Sequence, residues 1–296
     1  MLINYVQVFE TTTKKRLPAS VYDRVERKAL PRKTNRRRLE KKRPVTAITV
    51  YASTHCGTKD ANEDSFCVYN VAQSILSSQS ESESYEARFG FSKTDGLLMA
   101  VADGISSVPK ARESSAAVIE QLITSYPTLS LENGKFITRA IEGINRNISR
   151  KDPGELGSTL AMVFLCQNQV QCANIGDSAI YHIHNGTMRR ISVDDTAAQE
   201  MIDEGYEPQQ INESFFHSLT QYIGQSSTVM PHMTAFEVEP GDILIIMSDA
   251  FEPDMNTVLN LIQQDGNPAE KLIFDFKENR SEYYMDNSTV IIAVMS

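Results

Sequence analysis

The stretch Leu98-Met99-Ala100-Val101-Ala102-Asp103-Gly104 ends an apolar run on one acidic residue followed at once by glycine. The design recurs in Asp242-Ile243-Leu244-Ile245-Ile246-Met247-Ser248-Asp249-Ala250. A carboxylate at the tip of such a run is costly to bury without a cation or hydrogen bonds to compensate it. Apolar β-runs that end in carboxylates gather those groups on one edge of a sheet scaffold. Asn62-Glu63-Asp64, Gly176-Asp177-Ser178 and Asp286-Asn287-Ser288-Thr289 supply further acidic positions. No Cys or His stands at ligand spacing beside them, so the oxygen-only donor set points to hard divalent cations, Mg²⁺ or Mn²⁺. This pattern suits a metal-dependent hydrolase.

Residues 45–53, 64–72 and 97–102 read as strands, followed by helices over 110–125 and 134–149. Strands return at 159–166, 169–175, 179–184, 234–238, 243–248 and 289–295, with helices at 256–264 and 268–278. Residues 74–86, crowded with Ser, Gln and Glu, read as a solvent-facing hairpin insertion. Asp95-Gly96 is a turn signal, and Asn185-Gly186 and Pro240-Gly241 are hairpin signals. Strand–helix–strand alternation is rare, which favours antiparallel sheets sandwiched by helices over a doubly wound parallel sheet. GxGxxG and GxxxxGK(S/T) nucleotide loops are absent.

A chain of 296 residues with 41% hydrophobic content can bury a sizeable core. Its net charge of −9 conceals a split. Residues 11–43 carry fourteen Lys and Arg against Asp23, Glu26 and Glu40. This arm is expected to meet an anionic partner (nucleic acid, anionic lipid or an acidic protein), to serve as a solubilising tail, or to strap the acidic remainder of the chain. The alternation in 2–9 would let that stretch pair as an edge strand. The organisation expected is a basic extension at 1–44 and a catalytic domain at 45–296, with a flap within 187–232. Cys56, Cys67, Cys166 and Cys172 form no CxxC pair, and neither a signal peptide nor an 18-residue apolar run is evident. A reducing cytoplasm is the expected compartment.

Seven short motifs, in order between about residue 45 and 296, resemble the bacterial branch of the protein phosphatase 2C family, the metal-dependent Ser/Thr phosphatases. They are Ala61-Asn62-Glu63-Asp64-Ser65, Val101-Ala102-Asp103-Gly104, Gly157-Ser158-Thr159, Asn174-Ile175-Gly176-Asp177-Ser178, Asp194-Asp195-Thr196, Ser248-Asp249 and Asp286-Asn287-Ser288-Thr289. The resemblance implies an α+β fold: a four-layer α-β-β-α sandwich of two central antiparallel sheets flanked by helix pairs. It also implies a centre of two Mn²⁺ or Mg²⁺ ions, with a weaker third. In that scheme Asp103 bridges the ions, Glu63 and the Gly104 carbonyl hold one, and Asp249 and Asp286 hold the other. Asp177 anchors the third, while Asp64 and Asn287 orient ligands. The implied reaction is hydrolysis of phosphoserine or phosphothreonine in proteins by a metal-activated water. The implied partners are phosphorylated proteins and a bacterial-type Ser/Thr kinase, and the chain is expected to be a monomer. The alternative is a catalytically weak or inactive regulatory pseudophosphatase on the same fold.

Departures from the family pattern matter as much. Lys59 stands where the family carries an arginine that grips the phosphate, so the charge is kept but the bidentate fork is lost. Ile105-Ser106-Ser107 replaces small glycine-rich residues, and Ala250 replaces a glycine. Pro253 stands at the family's third-metal aspartate, with Glu252 and Asp254 beside it as candidate substitutes. His55 reads as an edge histidine or as a proton donor near the site. His182 and His184 share a strand face, and with no further ligand nearby in sequence they read as a surface strand ending in a hairpin. His217 and His232 have no motif context.

Overall fold

The apolar runs become strands with both faces covered. The computed structural model describes residues 44–70, 74–77, 80–90, 96–129, 135–279 and 286–296. The basic arm at 11–43, the stretch 2–9 and Asp95 of the Asp95-Gly96 turn lie outside these residues.

The first five strands are β1 (Ala47–His55), β2 (Asp64–Tyr69), β3 (Ser74–Ser77), β4 (Ser82–Gly90) and β5 (Leu97–Asp103). Helices α1 (Ala111–Ser125) and α2 (Lys135–Lys151) follow, then β6 (Leu160–Cys166), β7 (Gln169–Ile175), β8 (Ala179–His184) and β9 (Thr187–Arg190). A short α3 (Ala197–Asp203) precedes β10 (His232–Glu237) and β11 (Ile243–Met247). The described chain closes with α4 (Met255–Ile262), α5 (Pro268–Asn279) and β12 (Ser288–Met295). One sheet has the order β4-β1-β12-β11-β8-β9 and the other β10-β7-β6-β5-β2-β3. The registered pairs are all antiparallel.

Side-chain alternation in β5 shows why the sequence lacks a polar face. Leu97, Met99 and Val101 enter the core between the sheets, alongside Ile48, Phe66, Ile246 and Ile291. Leu98, Ala100 and Ala102 face the other way, onto Val118, Ile119 and Leu122 of α1 and Ile137, Ile141 and Ile144 of α2. On the opposite sheet, Ile245 and Ile292 pack against Val258 of α4 and Leu272 and Ile273 of α5. Helices therefore cover the outside of each sheet, and continuous apolar strands are what two covered faces require. The four-layer sandwich holds.

Two local expectations are corrected. Residues 74–86 are not a hairpin insertion: β3 pairs with β2 at the edge of one sheet, and β4 pairs with β1 at the edge of the other. Polar residues mark β4 as an edge strand, while its Ala87 and Phe89 still enter the core. Pro240-Gly241 likewise does not close a hairpin, because β10 and β11 belong to different sheets. Asn185-Gly186 does close one, between β8 and β9, with φ of 49° and 70° at its two residues. Thr196 caps α3 by accepting from Gln199 N, so the short helix starts where the sequence places it. Among the described residues no helix is long and apolar enough to cross a membrane.

Candidate metal centre

Five acidic side chains arrive at one end of the sandwich because the strands that carry them end there. β2 and β5 pair so that Asp64 lies directly opposite Asp103. Like charges in that arrangement repel. Asp249 follows β11 by two residues, Asp286 precedes β12 by two, and Asp177 lies in the tight link between β7 and β8. Asp103, Asp177, Asp249 and Asp286 line a cavity of about 460 Å³, together with Lys59, Gly104, Ser106 and Thr159. His217 and Leu219, from the expected flap stretch 187–232, form another wall.

The backbone around these groups is held from both sides. Asp103 N–H donates to Thr159 Oγ1 (3.0 Å), and Thr159 N–H donates to the Asp103 carbonyl (2.8 Å). Glu63 N–H donates to Asn287 Oδ1 (2.8 Å), while the Glu63 carbonyl accepts from Ser115 Oγ and from Gly104 N–H. Asn287 Nδ2 in turn donates to the carbonyls of Cys56 and Ala61. Glu81 accepts from Asn62 N–H and pairs with Arg112, so the edge segment before β4 braces the loop that carries Glu63. Gly104 must lack a side chain, since a Cβ there would meet the Ala111 carbonyl oxygen at 2.2 Å. Gly176 sits at φ +89°, a backbone shape suited to glycine, and its N–H donates to Asp195 Oδ2.

Charge in the cavity is strongly unbalanced. Burial raises the Asp103 carboxyl well above its ordinary value, and the charges of Asp64, Asp249, Asp177 and Asp286 push the same way. Burial and Asp249 bring Asp177 up to about 8. Burial brings Asp64 to about 6 in spite of the hydrogen bond it accepts from Ser248 Oγ. Asp249 is raised by burial and by Asp286. Asp64 Oδ1 is buried with no hydrogen-bond partner. An orphaned carboxylate oxygen among crowded carboxylates is the setting in which hard divalent cations bind, so the donor set fits Mg²⁺ or Mn²⁺.

Lys59 is the counter-charge within this set. Its Nζ lies 2.5 Å from Asp286 Oδ1 and 3.2 Å from Glu63 Oε2, and it donates to Ser106 Oγ at 2.8 Å. Burial disfavours its charged form, but the pairs with Asp286 and Glu63 outweigh burial and hold the ammonium above the ordinary lysine range. Glu63 is not itself a lining residue, and it joins the site through Lys59 and Ser106.

Several expectations can now be placed. Neither neighbour of Pro253 lines the cavity, and Asp254 caps α4 by accepting from Thr257 N. His55 is also absent from the lining, and its Nδ1 accepts from Gly57 N–H. His217 Nδ1 stands 3.9 Å from Asp249 Oδ2, a placement that no motif signalled. Thr159 belongs to the Gly157-Ser158-Thr159 motif, whereas Ser106 was hard to single out, since a lone hydroxyl carries little specificity as a sequence signal. His182 and His184 do have a third partner: both contact Asp242, 60 and 58 residues further along the chain. The surface-strand reading of that pair is incomplete.

The described residues thus form two antiparallel sheets between helix layers, with carboxylates around a cavity at one end. The family profile described as Protein phosphatase 2C matches residues 77–282, and the chain belongs to that family. The serine/threonine protein phosphatase PstP of Mycobacterium tuberculosis is 26% identical over 177 residues, 56% of this chain. The chain spans only 34% of the length of that relative, and 39% of a 2C-type protein from Streptococcus pyogenes. The crystal structure of the PstP catalytic domain with two manganese ions superposes with a TM-score of 0.62 at 24% identity, covering 84% of this chain and 99% of that one. The structure of Stp1 from Staphylococcus aureus gives 0.66 at 18% identity, covering 83% and 94%.

Proposed function

We propose that the chain is a protein serine/threonine phosphatase dependent on two Mn²⁺ or Mg²⁺ ions. The observation that carries this reading is the convergence of Asp103, Asp177, Asp249 and Asp286 on one cavity, with Asp64 set directly against Asp103. Asp103 would serve both ions, Glu63 and the Gly104 carbonyl would hold one, Asp249 and Asp286 the other, and Asp177 a weaker third. The ions would supply Lewis acidity to the phosphoryl group and to the attacking water. Asn287, Ser115 and Thr159 fix the backbone of Glu63 and Asp103, which limits reorganisation during the reaction. Asp64 is a positioning group, anchored by Ser248. Lys59 would attract the phosphate dianion to the cavity that it lines.

The substrate proposed is a phosphoprotein, modified by a bacterial-type Ser/Thr kinase, in the cytoplasm. The support for a reducing compartment is that Cys56, Cys67, Cys166 and Cys172 form no CxxC pair in the sequence. Release of phosphate from a phosphothreonine peptide, with Mn²⁺ and with chelator, tests the reading. No metal-dependent release above the uncatalysed background would overturn it. One observation favours the inactive alternative: Lys59 spans Glu63 and Asp286, groups assigned here to different ions.

Lys59→Ala separates the two roles of that lysine. Loss of one charge-assisted contact of about 1.5 kcal/mol should raise KM roughly tenfold with kcat little changed. If Lys59 instead acts as an internal counter-ion, KM will hold and the affinity for Mn²⁺ will rise.

We assign the catalytic unit to residues 45–296, because all seven motifs fall within it. Removal of residues 1–44 is expected to leave phosphate release intact and to abolish salt-sensitive binding to anionic partners. Loss of folding on truncation, read by thermal melting, would mean that the arm is a strap.

A further inference from the structure

At the end of the sandwich remote from the acidic cavity, the apolar lining between the sheets is interrupted. β8 starts beside Asp177 and ends at His184, while β11 starts beside Asp242 and ends beside Asp249. The two antiparallel strands thus carry one polar cluster at each end, about 20 Å apart for a six-residue strand. His182 and His184 share the face on which Ile180 enters the inter-sheet core. His182 pairs in register with Leu244 and stacks on Phe236 of the opposite sheet, with ring centroids 4.6 Å apart. Asp242 is only 3% exposed.

These three side chains converge. His182 Nε2 lies 2.9 Å from Asp242 Oδ2, and His184 Nδ1 lies 2.7 Å from Asp242 Oδ1. Among the described residues, this is the one trio of His, Cys, Asp or Glu whose ligand atoms all lie within 4.8 Å of one another. Bonds of about 2.0 Å at tetrahedral angles put neighbouring ligand atoms about 3.3 Å apart, so small side-chain movements suffice to admit an ion. Two imidazole nitrogens and a carboxylate oxygen form a borderline donor set, suited to Zn²⁺, Co²⁺ or Ni²⁺ rather than to Mg²⁺.

We infer that His182, His184 and Asp242 form a second cation site, separate from the acidic centre, for a divalent transition metal of the Zn²⁺ class. Two surrounding features fit that use. Asn185 Nδ2 lies 2.8 Å from His184 Nε2, the nitrogen that faces away from the ion; with the carboxamide turned over, its Oδ1 would accept from the Nε2–H of an ion-bound ring and orient it. A cavity of about 370 Å³ opens beside both histidines, walled partly by Glu237 and Glu239, and gives solvent access to the remaining coordination positions. The site joins β8 and β11, neighbours in one sheet, so the bound ion would tie those two strands together at the end where Phe236 of the other sheet stacks on them.

Hydrogen bonding alone could also gather two histidines on one aspartate, and metal titration separates the cases. The full chain, stripped with chelator and returned to buffer with excess Mg²⁺, is titrated with Zn²⁺ by calorimetry. One Zn²⁺ per chain is expected that excess Mg²⁺ does not displace. His184→Ala should weaken that equivalent at least about a hundredfold, since losing even an outer partner of a ligand costs about 10–100-fold. His184 is partly exposed, so the variant should keep its far-ultraviolet dichroism and melting temperature in Mg²⁺. His182→Ala should act in the same direction. In an Asp103→Asn, Asp249→Asn double variant the Zn²⁺ equivalent should remain, which keeps this test independent of the phosphatase proposal. Absence of the Mg²⁺-resistant equivalent, its survival in both histidine variants, or its loss with the two aspartates would each overturn the inference.

Discussion

Asp103→Asn is expected to lower turnover by about a hundredfold or more, since several kcal/mol of transition-state stabilisation should depend on the ions that this residue is proposed to hold. The same substitution should raise the melting temperature of the chelated protein at pH 8. Asp103 lies opposite Asp64 and feels the charges of Asp249, Asp177 and Asp286, so an amide there relieves repulsion in the absence of cations. Opposite movements in activity and metal-free stability are a signature that an ordinary core position would not give. Phosphate release and melting curves in chelator measure both. Turnover within about tenfold of the parent would sink the ligand assignment, since one decade is only about 1.4 kcal/mol.

Metal removal should make the protein sensitive to pH in an unusual direction. A carboxyl whose pKa is raised by folding contributes stability that is fully present below its unfolded value and lost as pH rises through its folded one. Asp64 is raised to about 6 and Asp177 to about 8. Unfolded aspartates titrate near about 3.9. Stability of the chelated protein should therefore decline from about pH 4 to about pH 8, and the 6–8 portion is diagnostic because ordinary carboxylates are already ionised there. Mn²⁺ at about a hundred times its Kd should return about 2.7 kcal/mol at pH 8, or roughly 5–10 °C in melting temperature for a domain of this size. The gain should shrink toward pH 5, where protons compete for the same oxygens. Melting curves in chelator and in Mn²⁺ at pH 5, 6 and 8 would decide the matter. A chelated protein that grows more stable between pH 6 and 8 would contradict the carboxylate account.

The strands were legible because both faces of each sheet are covered, leaving long apolar runs such as Leu98–Ala102 and Ile243–Met247. The acidic positions were legible for the same reason, since a lone aspartate at the end of such a run has no ordinary core role. Residues 74–86 misled because an edge strand has a polar side, and two edges in succession imitate a hairpin. Pro240-Gly241 misled because turn chemistry fixes a reversal but not which sheet receives the next strand. Asp242 could not be linked to His182 and His184 because sheet register, rather than sequence proximity, joins β8 to β11. Thr159, Ser106 and Ser115 act through single hydroxyls, whose targets emerge only when loops distant in sequence meet.

The polar border of each sheet has a consequence for association. Ser82, Glu83, Ser84, Glu86 and Arg88 of β4 are exposed or half-exposed along one rim, and β3 and β9 are only four residues long. β10, which closes the second sheet, leaves most of its residues accessible and ends on Glu237. Charged, short or uneven margins resist the addition of a foreign strand. Sheets so apolar inside would otherwise be templates for edge-to-edge aggregation. A phosphopeptide of the kind proposed would accordingly gain little by lying along a strand, which leaves its recognition to the loops that line the cavity.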